Sequence, residues 1–155
     1  MHLLRVSHQR QRQPSDCLAA CAAMVVAYNG IDYHYSQLLR LLRIQPHGTA
    51  FSALNALASL GVEVEIGRGA RSDLEHHLDS GVPPILFVNT GMLSYWTSET
   101  GHAVVLIGLD NEVAHLHDPA LDEPNKAIPY IELEMAWIEQ DQLYAILIAD
   151  MPRRP

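Results

Sequence analysis

Cys17 lies at the start of an apolar segment, a position from which a cysteine can act as a nucleophile. The segment from Gln11 to Tyr28 reads QRQPSDCLAACAAMVVAY, and Pro14 with Ser15 predicts a helix start, with Ser15 as N-cap. Free backbone N–H groups and the helix dipole favour a thiolate in the first turn. Gln11 could turn its amide N–H toward an oxygen next to the sulfur. Taken alone, a cysteine at a helix start is more often a small buried residue, so its role depends on the rest of the chain.

Activation of a cysteine requires a base, and the base requires a group that orients it. The residues LDN at positions 109–111 predict a three-residue turn whose last residue is left-handed. In that register Gly108 pairs with Glu112, and His102 faces Asp118 directly across two strands, where an imidazole N–H can donate to the carboxylate. Four apolar residues would share their face of the sheet: Val104, Leu106, Ala114 and Leu116. The hairpin therefore predicts a base together with its orienting acid.

The histidines of this chain do not form a metal site in the predicted sheet. The run His115-Leu116-His117-Asp118 resembles a metal-binding cluster, but alternation along a strand sends His115 and His117 to the face opposite Asp118. The other histidines lie in helix, loop or tail segments without ligand spacing, and the sequence has no glycine-rich phosphate loop. We therefore expect neither a metal nor a cofactor.

Composition and charge indicate a globular protein and exclude several functions. With 155 residues, 48% of them apolar, we expect one domain over 1–155, with a core over about 6–149 and a tail over 150–155. The formal net charge of -8 argues against nucleic acid as a partner. The N-terminus lacks a signal peptide, and no stretch approaches the ~18 apolar residues of a membrane span. Cys17 and Cys21, one helical turn apart, suit free thiols better than a disulfide, so we expect a cytoplasmic protein.

Periodicity and turn signals divide the chain into a helical first half and a sheet-forming second half. After the helix of Cys17 we expect helices capped by Ser36 and Thr49, then a strand over 62–66 and a helix over 72–80. In the second half we expect one helix, over 131–138, and four strands, over 84–88, 102–109, 113–117 and 143–149. This order predicts an α+β domain in which a helical lobe packs on an antiparallel sheet, with the active site in the cleft between them.

Four segments resemble, in the same order, those of papain-like cysteine peptidases of the double-glycine family, which process bacteriocin leader peptides. The segments are Gln11 to Gly30 around the cysteine, GHAVVLIG at 101–108, HDPA at 117–120, and the acidic-aromatic helix at 131–137. The resemblance extends from about Val6 to Ile148. It implies the papain-like fold and a cysteine, histidine and aspartate in that chain order.

The resemblance implies a role for each residue that matches the motifs of the family. Cys17 would be the nucleophile, His102 the general base and acid, and Asp118 the group that orients His102. Gln11 would be the side-chain donor to the oxyanion, beside the backbone N–H of Cys17. Gln13, four residues before the cysteine, is a weaker candidate for the same role.

The resemblance also implies a peptide or protein substrate, cleaved after small residues such as Gly-Gly or Gly-Ala in a leader peptide. We expect Leu18, Trp96 and Gly101 to contact it. Leu18 stands where the family usually has a glycine and adds bulk near the primed side of the cleft. Trp96 could instead pack its loop onto the sheet. Because family members often head an ABC exporter that this sequence lacks, we expect a stand-alone relative serving a separate exporter or maturation machinery.

Two other functions remain open at this point. A thiol acyltransferase or deamidase would use the same three residues with a different acceptor or substrate. A non-catalytic domain that only binds peptides is less favoured, because the sequence retains both Cys17 and His102.

Overall fold

The computed structural model describes residues 2–150, which form a single antiparallel sheet with helices on both faces. The helices are α1 (Cys17–Tyr28), α2 (Tyr35–Leu41), α3 (Arg71–Asp79) and α4 (Tyr130–Ile138), with 3₁₀ segments over Phe51–Leu60 and Thr90–Met92. The strands are β1 (Val62–Arg68), β2 (Ile85–Asn89), β3 (Gly101–Leu109), β4 (Val113–His117), β5 (Lys126–Pro129) and β6 (Leu143–Ala149). Of the predicted tail over 150–155, residues 151–155 lie outside the described residues.

The sheet has the strand order β1-β6-β2-β3-β4-β5, and all neighbouring strands are antiparallel. The five predicted strands are present, and β4 and β6 have the predicted bounds. The strand β5 was not expected, because its four residues include a lysine and a proline and carry little β signal. The prediction of an α+β fold is confirmed.

The helix α1 forms the centre of the helical lobe and is apolar on every side. All residues from Leu18 to Val26 are buried, and many are alanines, whose small side chains let the helix approach the sheet closely. It packs against one face of the sheet, where β3 contributes Ala103, Val105 and Ile107. The chain leaves the helix after Tyr28 through Gly30, whose φ of 74° is left-handed, a conformation that glycine adopts readily at helix ends. Burial of this helix fixes the position of Cys17 at its first residue.

The opposite face of the sheet carries a second core. There the side chains of β2, β3 and β4 pack against Leu74 of α3 and against Leu133 and Trp137 of α4. The four residues predicted to share a face belong to this core and are fully buried: Val104, Leu106, Ala114 and Leu116. The sheet therefore separates two apolar layers, and the helical lobe with α1 covers one of them.

Three predicted helix caps are wrong. The residues before α1, α2 and the 3₁₀ segment are Asp16, His34 and Ala50, rather than Ser15, Ser36 and Thr49. In the last two cases the first helical residue is a buried aromatic side chain, Tyr35 at 5% exposure and Phe51 at 6%. Burial of these rings sets where the chain turns into the helix and overrides the preference of Ser and Thr for the cap position.

The β3–β4 hairpin differs from the predicted register. Asn111 and Glu112 form a two-residue turn closed by a bond from the Asp110 N–H to the Val113 carbonyl (3.0 Å), and Asn111 is not left-handed. Next to this turn Gly108 pairs with His115 instead of Glu112. A bulge between 106 and 108 then shifts the ladder by one residue, so that Leu106 pairs with Leu116 and Val105 with His117.

This bulge decides which face Asp118 occupies. Continued by one residue, the ladder places Asp118 opposite Val104, two residues from the predicted partner His102. The two-residue turn alone would have put Asp118 on the wrong face, and the extra residue of the bulge restores the alternation. His102 and Asp118 are therefore diagonal neighbours on one face, a separation that long and aromatic side chains can span.

Candidate active site

The start of α1 presents Cys17 with no side chain capping the helix. Cys17 is partly exposed, whereas Cys21, one turn further on, is fully buried, and both are free thiols. The next residue, Leu18, is 4% exposed. Burial raises the pKa of Cys21 well above its usual value, so Cys21 is the inert thiol of the two.

Asp16 holds the loop that leads into α1, a role the sequence did not reveal. Its carboxylate is fully buried and accepts the backbone N–H groups of Arg12 (3.2 Å) and Gln13 (2.9 Å). The hydroxyl of Tyr35 donates to the same carboxylate at 2.7 Å. These bonds turn the Asp16 side chain toward the preceding loop, so that it does not accept hydrogen bonds from the first N–H groups of the helix. Asp16 thus fixes the loop while the helix start stays open beside Cys17.

His102 and Asp118 form a buried pair at the end of β3. Nε2 of His102 lies 2.7 Å from Oδ1 of Asp118, and the residues are 3% and 0% exposed. Burial lowers the pKa of His102, but its bonds with Asp118 and Cys17 and the charges of both outweigh burial and raise the pKa to about 9. Because Asp118 engages Nε2, Nδ1 is the ring atom left for Cys17. Of the three residues predicted as the triad, His102 and Asp118 are in direct contact, and Cys17 contributes to the raised pKa of His102.

The second oxygen of Asp118 is held by two neighbouring aromatic residues. Oδ2 accepts the Tyr95 hydroxyl at 2.6 Å and the Trp96 indole N–H at 3.0 Å, while the Ala120 N–H donates to Oδ1 at 2.9 Å. Burial raises the pKa of Asp118, but its hydrogen bonds, that with His102 first, outweigh burial and lower it. Burial and the nearby Asp118 raise the pKa of Tyr95, so its hydroxyl remains a donor.

Trp96 also packs against the histidine, with its ring centroid 4.7 Å from that of His102 at an angle of 60°. Its loop is anchored by Thr90, whose Oγ1 accepts the Thr100 N–H (2.9 Å) and donates to the Ser98 carbonyl (2.7 Å). Trp96 does not line the pocket beside Cys17. The structure thus gives it the packing position that the sequence left open, against the pair instead of at the predicted substrate contact.

Gln11 lies in the loop before Cys17, but its amide is turned into that loop. Nε2 donates to the carbonyls of Gln13 (2.9 Å) and Pro14 (3.2 Å), which uses both of its hydrogens. The backbone N–H of Gln11 donates to the Pro119 carbonyl at 2.8 Å. Gln11 therefore ties the cysteine loop to the segment that follows Asp118, and its side chain has no free donor for an oxyanion in this state.

A pocket of about 560 Å³ opens beside Cys17. Of the residues expected to contact substrate, Leu18 and Gly101 line it. The remaining walls come from the loop before the 3₁₀ segment and from β2 and β3, and include Pro46, Ala50, Phe51, Phe87 and Ala103. The cysteine thus lies at the edge of a concave site, as the predicted cleft requires.

His115 and His117 lie away from the Asp118 pair. His117 is buried, with Nε2 2.6 Å from the Val6 carbonyl oxygen, and its Nδ1 accepts the Asn125 N–H at 3.0 Å. His117 therefore holds the N-terminal segment against β4. Between residues 2 and 150 we find no group of three or more His, Cys, Asp or Glu side chains arranged to hold a metal.

Tyr95 and Asp16 are the site residues that the sequence analysis missed. Tyr95 adjoins Trp96 in a polar loop, and Asp16 immediately precedes the cysteine. A tyrosine beside a tryptophan shortly before the histidine strand was the available signal for the first. Nothing in the sequence distinguishes Asp16 from an ordinary acid at a helix start.

Solved structures of other proteins share this fold. A C39-like peptidase from Bacillus anthracis is 18% identical, with a TM-score of 0.79, and the match covers 99% of this chain and 98% of that chain. The peptidase domain of ComA, an ABC transporter from Streptococcus, is 20% identical with a TM-score of 0.77, covering 94% and 99%.

A double-glycine-motif protease from an AMS/PCAT transporter, solved with its leader peptide, is 22% identical with a TM-score of 0.75, covering 95% and 94%. At such identities the likeness shows the fold, which is papain-like. No curated protein sequence matches this chain, but residues 5–149 match the model of the peptidase C39 family. Because that match covers nearly the whole chain, the protein belongs to the peptidase C39 family and is a cysteine peptidase.

Proposed function

We propose that this peptidase hydrolyses peptide bonds through Cys17, with His102 as general base and acid and Asp118 as the group that orients His102. His102 takes the thiol proton, and the sulfur attacks the carbonyl carbon of the substrate. The tetrahedral intermediate collapses as the imidazolium gives that proton to the leaving amine, which leaves a thioester on Cys17. Water, deprotonated by the same imidazole, then attacks the thioester and releases the carboxylic acid and the free thiol.

The observation that carries this proposal is the interaction of His102 with both partners. Its Nε2 is 2.7 Å from Asp118, and Cys17 contributes to the rise of its pKa to about 9. A histidine with a raised pKa is a stronger base than an ordinary imidazole, which suits His102 to accept the thiol proton. The aromatic cover from Trp96 removes water from the pair, which strengthens the interaction between the two charges.

For the oxyanion we propose the backbone N–H of Cys17 as the first donor, because no side chain caps the start of α1. The Gln11 amide is the proposed second donor. In this state it donates to Gln13 and Pro14, and the bond to Pro14 is the longer, at 3.2 Å. Exchange of that bond for one to the oxyanion would let Gln11 act only when the intermediate forms. Gln13 is exposed and makes no side-chain bond of this kind.

For the substrate we propose a peptide with Gly or Ala directly before the scissile bond, such as a leader peptide, and hydrolysis over transfer to another acceptor. The shared fold with a double-glycine protease that binds a leader peptide supports this class. We place the reaction in the cytoplasm, because both cysteines are free thiols, with a separate exporter or maturation protein receiving the product. No helix within residues 2–150 is long and apolar enough to cross a membrane.

The proposal is tested by incubating the purified protein, under reducing conditions, with synthetic peptides that contain Gly-Gly, Gly-Ala or Leu-Gly, followed by mass spectrometry. We expect cleavage by the wild type and by Cys21→Ala, and none by Cys17→Ala or His102→Ala when circular dichroism shows that both are folded. A deamidated product would point to a side-chain amide as the group attacked, and a transferred product to an acyl acceptor other than water. Cleavage that survives Cys17→Ala would overturn the proposal.

A further inference from the structure

We infer that the pocket beside Cys17 binds one bulky, uncharged apolar side chain of the substrate, at a position other than the residue directly before the scissile bond. The inference rests on the proposed function, since it takes Cys17 as the site of attack. It adds one apolar residue, at another position, to the proposed substrate in which Gly or Ala directly precedes the bond. A pair of glycines would place no side chain in this pocket.

The pocket has apolar walls fixed by the core. Leu18 is 4% exposed and Phe51 6%, so neither side chain is free to move aside. The ring of Phe51 stacks on that of Phe87, with centroids 5.5 Å apart and an angle of 30°. A leucine, methionine or phenylalanine side chain entering the pocket would contact these surfaces and lose its water-exposed area.

Gly101 allows Phe87 to reach the pocket. A Cβ atom on Gly101 would lie 3.0 Å from Cζ and 3.3 Å from Cε1 of the Phe87 ring, closer than side-chain carbons normally approach. The ring can therefore cross the beginning of β3 only because residue 101 has no side chain. The same residue was expected to contact substrate; it lines the pocket and leaves room for the Phe87 ring to form one of its walls.

The lining residues also exclude charged side chains. They include no Asp, Glu, Lys or Arg. Besides the thiol of Cys17, the polar side chains among them are those of Ser15, His47, Thr49 and Thr100. A charged residue would lose hydration there without gaining an opposite charge. Selection is therefore expected for an apolar side chain over an acidic or basic one of similar length.

Thr49 adds an unmet hydrogen-bonding group at the pocket. Its Oγ1 is buried and has no hydrogen-bond partner among the described residues, although such groups are normally paired. A backbone N–H or C=O of a bound peptide would satisfy it. The pocket therefore combines apolar walls with several polar side chains, one of which is unpaired, the combination typical of a ligand site. Its volume of about 560 Å³ falls in the ~300–1,000 Å³ range of such sites.

The test separates binding from catalysis by using the full chain with Cys17→Ala. The probes are acetylated, amidated hexapeptides that contain one glycine among alanines. In each probe one alanine is replaced by Gly, Leu, Phe or Glu, and this replacement is made at each position in turn. Binding is measured by isothermal titration calorimetry. We expect Leu or Phe at one position to bind about 10- to 100-fold more tightly than Gly at that position, and Glu to bind no better than Gly.

A matched pair of variants locates the effect. Ala50 and Ala56 are both exposed; Ala50 directly precedes the 3₁₀ segment and Ala56 lies in its middle. Only Ala50 lines the pocket beside Cys17. In the Cys17→Ala background, Ala50→Trp should abolish the preference for Leu or Phe and leave the glycine peptide bound as before. Ala56→Trp should retain the preference.

Each outcome decides one of the two proposals. Equal binding of Gly, Leu and Phe at every position, or a preference that survives Ala50→Trp, overturns the pocket assignment even if the wild type cleaves peptides. A preference that Ala50→Trp removes supports the assignment even if the wild type cleaves none of them, in which case only the hydrolytic function fails.

Discussion

The indole nitrogen of Trp96 donates a hydrogen bond of 3.0 Å to Oδ2 of Asp118, while the indole ring packs on His102. One side chain therefore touches both members of the buried pair. Together with the Tyr95 hydroxyl on the same oxygen, it leaves Oδ1 as the oxygen that faces the histidine. The loop between β2 and β3 thus acts on the site through Asp118.

We predict that Tyr95→Phe lowers kcat/KM by about 10-fold, because a less firmly held Asp118 orients His102 less well. The pKa of Asp118 is lower in the folded state than in the unfolded state, so ionised Asp118 stabilises the fold at pH values above its unfolded pKa. This stability is lost as pH falls through its folded pKa. Removal of a donor raises the folded pKa, so the acid limb of the pH–rate profile should move to higher pH. A profile of kcat/KM against pH measures this shift.

The control for this variant is Tyr28→Phe, at the end of α1 away from Cys17. It deletes a hydrogen bond of the same 2.6 Å length, which the Tyr28 hydroxyl donates to the Gly81 carbonyl. It should reduce stability while the acid limb stays in place. If both variants leave the limb unmoved, the hydroxyl of Tyr95 has only a structural role. Trp96→Phe should resemble Tyr95→Phe in the direction of the shift.

A second prediction concerns the dependence of stability on pH. The pKa of His102 is raised from 6.5 to about 9, so the folded state binds the proton more tightly than the unfolded state. The resulting stability is fully present below about pH 6.5 and is lost as pH rises through about 9. Its size is about 3 kcal/mol when the whole rise in pKa is converted.

Urea unfolding at pH 6.5, 8 and 9.5 checks this prediction when the wild type is compared with Asp118→Asn. The asparagine removes the charge that holds the proton on His102, so the free energy of unfolding should fall less steeply with pH in the variant. Other groups titrate equally in both proteins and cancel in the difference. If the free energy of unfolding falls equally with pH in the two proteins, Asp118 does not hold the proton on His102.

A third prediction distinguishes the two glutamines of the cysteine loop. Gln11→Ala should reduce kcat by about 10²–10³-fold if its amide turns to the oxyanion in the transition state. Gln13→Ala should change kcat little, because Gln13 is exposed and contributes its backbone to the loop. The matched pair removes the same side chain from the same loop.

Binding separates a catalytic role of Gln11 from a structural one. Gln11 also donates to two loop carbonyls, so its loss could simply disorder the loop. If the oxyanion role holds, Gln11→Ala in the Cys17→Ala background should bind the uncleaved peptide as tightly as Cys17→Ala alone. A parallel loss of binding and kcat would assign Gln11 to the loop.

The pairing of His102 with Asp118 could be predicted from the sequence, whereas the path of the backbone between them could not. Alternation along β3 and β4 put the two residues on one face, and apolar runs gave the strand bounds. The bulge near Ile107 could not be predicted from the sequence. It lies in a run of Val, Leu and Ile, and an extra apolar residue in such a run does not change the pattern. Next to the turn the predicted pairing is wrong by three residues, since Gly108 pairs with His115 instead of Glu112. The bulge reduces the difference to two residues, which restores the predicted face.

The parts of the site that sequence could not give depend on contacts made after folding. An acid at a helix start usually interacts with the first N–H groups of the helix, but the carboxylate of Asp16 accepts the Tyr35 hydroxyl from another helix. The Gln11 amide N–H was expected to turn toward an oxygen next to the sulfur, and it donates to nearby loop carbonyls instead. Both outcomes follow from where loops pack, which spacing along the chain does not encode.

The last prediction concerns the reactivity of the two cysteines. Cys17 is partly exposed at the open start of α1, whereas Cys21 is fully buried and its pKa is raised by burial. Brief treatment with iodoacetamide at neutral pH should therefore alkylate Cys17 and leave Cys21 unmodified, as peptide mass spectrometry would show. His102→Ala should slow the alkylation of Cys17 without exposing Cys21, because the proposed acceptor of the thiol proton is lost. Equal inertness of both cysteines in the folded wild type would contradict an activated Cys17, and alkylation of Cys21 alone would require a helix packed differently from α1.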